Sequence, residues 1–419
     1  GAATGVINIT LKKSSKNTVS GTFETSLGTN NSANNATSKI NEQNLNASVN
    51  GTTNGFSYLA SIGLSKSDGL SAAKSKTNQD FTADPFYNEK GMFKLSYKAN
   101  NNFKIESFVN LDNLEYSFDA GAFSDSKTNE ATQKQVRFGI KPSFDYSAGS
   151  VYAIASINAI NRAIFGNTYE GKSTNIEVVN KWDLSESFQL ISGINYQKHS
   201  NQTNSAWGNI NKDLANFNSL DVYVTGVYST NFGLNVSTGA RLNKHSNYGN
   251  HLVYHVNPSY NLYNTEDTSL KLLTSYSTAF IAPSLYQLFS VYGNTDLNPE
   301  TNKTFEFGFE STYKKWLDVS AVYFNRVEED AIIFNSLSVA PWGKYGNAST
   351  AIKTKGLESF ITLNPTSTID VNLGYTYTDK DAEANYIPKN KLTAQFVYKP
   401  FVNTVFSLDY RNVGERTGS

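Results

Sequence analysis

Cysteine is absent from the chain, so neither a disulfide nor a thiolate nucleophile or metal ligand can be built from it. Histidine occurs only four times, which leaves little material for a catalytic triad or a histidine metal centre. Charge is scarce at 17%, and 36 Lys+Arg balance 36 Asp+Glu, so no global field points to nucleic acid. No segment approaches the roughly 18 consecutive apolar residues of a transmembrane helix, which excludes a helical membrane protein. The opening Gly1-Ala2-Ala3-Thr4-Gly5-Val6-Ile7-Asn8-Ile9-Thr10 lacks the basic start and long apolar core of a signal peptide.

Aromatic residues are plentiful, at 13% with 25 Tyr and 26 Phe, although the mean hydropathy is −0.43. Period-two alternation reconciles the two values, because one face of a strand can be apolar while the average stays polar. Ile369, Val371, Leu373, Tyr375 and Tyr377 alternate with Asp370, Asn372, Gly374 and Thr376. The same pattern recurs from Phe232 to Leu242 and through Phe406, Leu408 and Tyr410. Scored along the chain, it gives about nineteen candidate strands, many of the length that crosses a bilayer when tilted.

The connections alternate too. Short turns fall near Thr53-Asn54, Ala99-Asn101, Ser147-Gly149, Ser185-Ser187, Ser229-Asn231, Asn264-Asp267, Tyr313-Trp316, Asn364-Ser367 and Pro400-Asn403. Between them lie longer polar loops: Gly28 to Glu42, Lys66 to Lys90, Phe118 to Gln133, Ile164 to Gly171, His199 to Asn216, Asn243 to His251, Ala279 to Asn302, Glu328 to Gly346 and Asp379 to Asn390. Short turns at one end and long loops at the other mark an outer-membrane barrel. In lipid every backbone amide must be paired within the protein, so spanning strands belong to a closed ring.

One stretch organises the rest. A strand from Leu270 stops alternating at Ala279-Phe280-Ile281-Ala282-Pro283-Ser284-Leu285-Tyr286. A long, partly apolar loop continues through Tyr292-Gly293-Asn294-Thr295-Asp296-Leu297-Asn298-Pro299-Glu300, and alternation resumes at Phe305-Glu306-Phe307-Gly308-Phe309-Glu310. Pro299 stands at a strand entrance, where no ladder donor is needed. This ordered series resembles the TonB-dependent receptors of the bacterial outer membrane, and within them most resembles the cobalamin receptor branch.

The resemblance implies an all-β protein: a transmembrane antiparallel β-barrel of the roughly 22-stranded receptor type. Residues 1–13 resemble the last strand of the plug that fills such barrels, with its linker, and residues 14–419 the barrel itself. With about 19 strands read, about three closing strands are expected to be missing. The implied function is active import across the outer membrane of a Gram-negative bacterium. External loops bind a scarce large ligand, and the periplasmic TonB protein pulls on an N-terminal box that lies outside this sequence. A corrinoid is the first expected cargo and a ferric siderophore the alternative; outer-membrane lipid surrounds the wall, and no enzyme activity is expected. A passive porin and a soluble glycan-binding module are the rivals from other classes. An upstream plug argues against the first, and a need for detergent against the second.

Candidate site residues come from the long loops. Trp207, Tyr286, Tyr292, Trp342 and Tyr345 offer flat surfaces for stacking on a large ligand. Asp80 and Asp84 in one loop, with Asp119 and Asp125 in the next, offer oxygen ligands for calcium. Phe118-Asp119-Ala120 resembles an element of the calcium-ordered loops of the cobalamin receptors, whereas their close Asp-x-Asp pair is absent around Asp84. No other cofactor is expected.

Two motifs are set aside. Gly166-Asn167-Thr168-Tyr169-Glu170-Gly171-Lys172-Ser173 spells a P-loop, but the residues after it, Thr174 to Trp182, are rich in β-branched side chains and read as a strand rather than a helix. His251 and His255 have helical zinc spacing, yet in a strand they stand about 13 Å apart.

Overall fold

A computed structural model describes residues 15, 16, 18–31, 39–76, 81–381 and 387–415. The expected plug strand, within residues 1–13, lies outside the described residues.

Strands account for most of it. The first seven are β1 (Ser20–Gly28), β2 (Glu42–Thr53), β3 (Phe56–Ser67), β4 (Phe86–Lys98), β5 (Phe103–Ser117), β6 (Glu130–Tyr146) and β7 (Gly149–Ile164). Then come β8 (Asn167–Ser185), β9 (Phe188–Asn204), β10 (Asn216–Ser229), β11 (Leu234–His245), β12 (Gly249–Asn264), β13 (Ser269–Ile281) and β14 (Glu300–Tyr313), with a short helix α1 (Leu285–Phe289) before β14. The rest are β15 (Leu317–Glu329), β16 (Ile332–Ser336), β17 (Gly343–Asn347), β18 (Ile352–Thr366), β19 (Ile369–Lys380), β20 (Asn390–Phe401) and β21 (Thr404–Val413). Nineteen of these form one antiparallel sheet in which each strand pairs with the next along the chain, while β16 and β17 make a separate hairpin.

The register shows why alternation is the governing signal. Ile194, Val222, Leu242 and Leu252 are successive partners across four strands, so all four point to the same side. They are 52%, 51%, 46% and 64% exposed. In water such a row would be a liability; facing acyl chains it is the stable arrangement. One residue along, Asn195, Asp221 and Asn243 form the opposite row, in which the Asn243 amide donates to Asp221. Tyr223 on the same inner face donates to Glu177 Oε1 at 2.8 Å, and Asn195 donates to Asn175 Oδ1 at 3.0 Å. Aromatic pairs such as Phe56 with Tyr97 and Tyr313 with Trp316 gather beside the short turns, as at a membrane interface. Among the described residues no helix is long and apolar enough to cross a membrane; the strands do so.

Two of the expected long loops are tight turns. Ile164 to Gly171 reduces to Phe165 and Gly166, with φ of 52° and 74°, the pair of positive values that suits a two-residue hairpin. Asn243 to His251 shrinks to residues 246–248. Both strand pairs continue past the apolar belt, where polar residues such as Thr168 and Lys244 carry on the ladder. The P-loop look-alike therefore lies in this turn and in β8, without a helix.

Candidate functional site

The long-loop end of the sheet carries the site. The loop between β13 and β14 is anchored by Pro283 and Leu297, both fully buried, and by α1. The Ser284 hydroxyl accepts from the Gln287 amide at 3.2 Å, and the Gln287 side chain accepts from the Ser284 amide at 2.8 Å. This reciprocal cap fixes a five-residue helix too short to persist alone. Ser284-x-x-Gln287 is the sequence signal for this helix, in a stretch expected only to be loop.

Beneath α1, Leu285 packs on Ile210 and Ala215 from the loop between β9 and β10, with Phe217 and Phe289 around them. From the other side comes the β16–β17 hairpin. Tyr345 donates its amide to the Tyr292 carbonyl at 3.0 Å, and Asn294 donates to the Tyr345 carbonyl at 3.1 Å. Asn347 Oδ1 accepts from the Asn298 amide at 2.9 Å, while its Nδ2 donates to the carbonyls of Asn298 at 3.0 Å and Asp330 at 2.7 Å. Three loops distant in sequence thus form one body.

That body brings four of the five expected aromatic residues together. Trp207, Tyr286 and Tyr292 line a cavity of about 230 Å3, joined by Tyr169 from the end of β8. Tyr345 stands behind them, its ring 6.3 Å from Tyr286 and edge-on. Trp342 is apart, 65% exposed at the tip of the β16–β17 connection. Phe334 escapes the sequence reading but wedges between Tyr292 and Tyr345 at 5.6 and 5.2 Å. Tyr169 escapes it too, being one aromatic among many on alternating strands. Burial, then the neighbouring Tyr345, Tyr292 and Tyr169 phenols, push the Tyr286 phenol above its ordinary value, so it stays protonated at neutral pH. Thr203 lines the same cavity at 4% exposure, and its Oγ1 has no partner among the described residues.

The acidic candidates meet at a second place on this end. Asp119 Oδ2 accepts from the Ala73 amide at 2.8 Å and from Ser71 Oγ at 3.0 Å, tying the β5–β6 loop to the β3–β4 loop. Asp125 Oδ2 accepts from Thr82 Oγ1 at 2.9 Å and from its amide at 3.2 Å. Burial, then the adjacent Asp119 carboxyl, raise Asp84 above the usual carboxylate range. One buried oxygen on each of Asp84, Asp119 and Asp125 is left unpartnered. Among the described residues no three acidic or histidine side chains form a metal-binding group, so the arrangement is a carboxylate pair with a third nearby. Asp80 lies outside the described residues.

A row of rings the sequence did not reveal runs along the inner face: His199 and His245 each lie 4.8 Å from Phe217, and His251 stacks on Phe280 at 3.9 Å. Phenylalanines separate the imidazoles, which suits packing rather than a shared metal. A larger recess, about 720 Å3 and lined by Glu24, Lys90, Asp112 and Arg137, is the inner wall of β1 to β6.

An apolar outer belt, a polar inner wall and long loops gathered at one end define an outer-membrane β-barrel. More specifically, the chain belongs to the TonB dependent receptor-like β-barrel family, whose model matches residues 15–419. Its place is the outer membrane of a Gram-negative bacterium. Among solved structures it is similar to the siderophore receptor PirA from Pseudomonas aeruginosa, at 14% identity and a TM-score of 0.74 over 95% of this chain and 72% of that one. A mutant ferric enterobactin receptor, PfeA, from the same organism matches at 16% and 0.76, covering 98% and 69%. The copper transporter OprC matches at 11% and 0.72, covering 93% and 68%. At these identities the likeness is one of fold.

Proposed function

We propose that this protein is an energy-coupled importer that captures a ferric siderophore at its outer vestibule and passes it to the periplasm. The carrying observation is the convergence of Trp207, Tyr286, Tyr292 and Tyr345 on one body of three packed and hydrogen-bonded loops. Wide rings on a preordered frame bind a large, rigid cargo without first ordering the loops. The fold it shares with receptors named for siderophores supports this cargo over the corrinoid suggested by sequence resemblance. In this reading a plug, to which residues 1–13 contribute, closes the lumen until TonB acts. The cargo leaves chemically unchanged.

A corrinoid remains the second reading on one specific observation, the tie between the two acidic loops through Asp119. The donors there are oxygen only, and each of the three carboxylates keeps a free buried oxygen. They fit a hard cation, and we assign calcium to them: Asp84 and Asp119 would hold it, with Asp125 and Asp80 as further candidates. Bound there, it would supply positive charge that relieves the Asp84–Asp119 repulsion and stiffens the loops.

Equilibrium binding to the detergent-purified full-length receptor tests the reading. Saturable binding of ferric siderophores with no retention of cobalamin supports it. Tight cobalamin binding, lost on chelation, replaces it with the corrinoid importer.

A further inference from the structure

The lining of the small vestibule cavity is uncharged. Tyr169, Trp207, Tyr286 and Tyr292 supply rings, and Thr203 and Ser290 supply hydroxyls. The two loops that line it, 205–215 and 282–299, carry Lys212 against Asp213 and Asp296, and the 330–351 segment packed behind them through Tyr345 adds Lys344 and Asp330, two cations to three anions in all. An anionic cargo would thus lose water here without gaining a compensating cation. At about 230 Å3 the cavity is also smaller than the roughly 300–1,000 Å3 of a site that encloses a drug-sized molecule. It holds one ring or short arm of a larger cargo. Thr203 Oγ1, buried and unpartnered, is a polar handle waiting at its wall.

We infer that this cavity is a subsite for an uncharged, hydrogen-bonding arm of the cargo, and that the receptor selects ferric complexes of zero net charge over polyanionic ones. Three singly charged bidentate groups, such as hydroxamates, neutralise Fe3+; three doubly charged catecholates leave a trianion. The rings cover the arm's flat faces, and Thr203 takes a hydrogen bond from it or gives one to it. The inference rests on the siderophore reading and names the charge class of its cargo.

The test titrates the full-length receptor with a neutral ferric tris-hydroxamate and, separately, a trianionic ferric tris-catecholate, following tryptophan fluorescence and heat. The neutral complex is expected to bind at least about tenfold more tightly, with an affinity that barely changes with ionic strength. Trp207→Ala and Thr203→Val should each weaken it by about tenfold and Trp207→Phe by less, all three keeping the heat-modifiable gel shift of the folded barrel. Stronger binding of the trianion, or unchanged affinity in both Trp207→Ala and Thr203→Val, overturns the inference and leaves the siderophore reading in place. If neither complex binds, the siderophore reading falls and the inference with it.

Discussion

The ring of Tyr223 lies across Gly193 on the neighbouring strand, so close that a Cβ added there would sit 2.4 Å from the ring's Cζ. The same contact recurs where Phe324 covers Gly356. Each pair fills a gap in the inner wall, and Tyr223 then reaches Glu177 on β8, tying three strands together. Gly193→Ala should therefore destabilise the barrel by about 1–3 kcal/mol, the cost of overpacking. The midpoint of the heat-modifiable gel transition measures it, and an unshifted midpoint would contradict the contact.

Leu373 and Asn372 separate the two faces of β19. Asn372 accepts from Thr362 Oγ1 at 2.9 Å and donates to Gln395 Oε1 at 3.2 Å on the inner face, whereas Leu373 shares the outer row with Ile361. Leu373→Arg should cost about 2–4 kcal/mol in a bilayer, and Asn372→Lys much less. Folding efficiency into lipid vesicles compares them; equal tolerance would reverse the facing.

Asn347 is the latch of the vestibule. Two of its hydrogen bonds join the β16–β17 hairpin to Asn298 in the β13–β14 loop, and a third holds the Asp330 carbonyl between β15 and β16. Asn347→Ala should cost about 1–3 kcal/mol locally without disturbing the barrel. Limited proteolysis should then cut near residues 337–342 while the gel shift persists. Cargo affinity should fall too, because Tyr345 and Tyr292 lose their fixed spacing.

Calcium binding at the acidic loops should depend on pH in a stated direction. Asp84 has a raised pKa, so its protonated form is favoured by the fold and its carboxylate is disfavoured until a cation arrives. The fold's preference for a neutral Asp84 is fully present at low pH and is lost as pH rises through the raised pKa. Calcium competes with that proton. Its affinity, by isothermal titration, should weaken as pH falls into a window that begins above Asp84's ordinary 3.8. Asp119→Asn should abolish calcium binding at any pH, and a wild-type affinity in that variant would remove the site.

The wall was legible in the amino-acid sequence alone. Period-two alternation is local, and a strand such as Ile369–Lys380 has only one way to place its apolar positions in lipid. The β13–β14 hairpin and its oversized loop followed from the same logic, whereas the family came from the resemblance carried by the ordered residues Ala279 to Glu310. Strand lengths were less legible, because beyond the membrane polar residues continue a ladder as readily as they form a loop, as β7 and β8 do. The vestibule was not legible in the sequence, because it depends on contacts between loops far apart in the chain. Trp207, Tyr286 and Tyr345 lie on three loops, and whether their rings meet depends on the burial of Leu285 against Ile210 and on the Asn347 bonds, contacts with no period along the chain. Trp342 shows the limit: by composition it matches the others, yet the backbone carries it outward, since a loop ring's position is set by what its loop packs against.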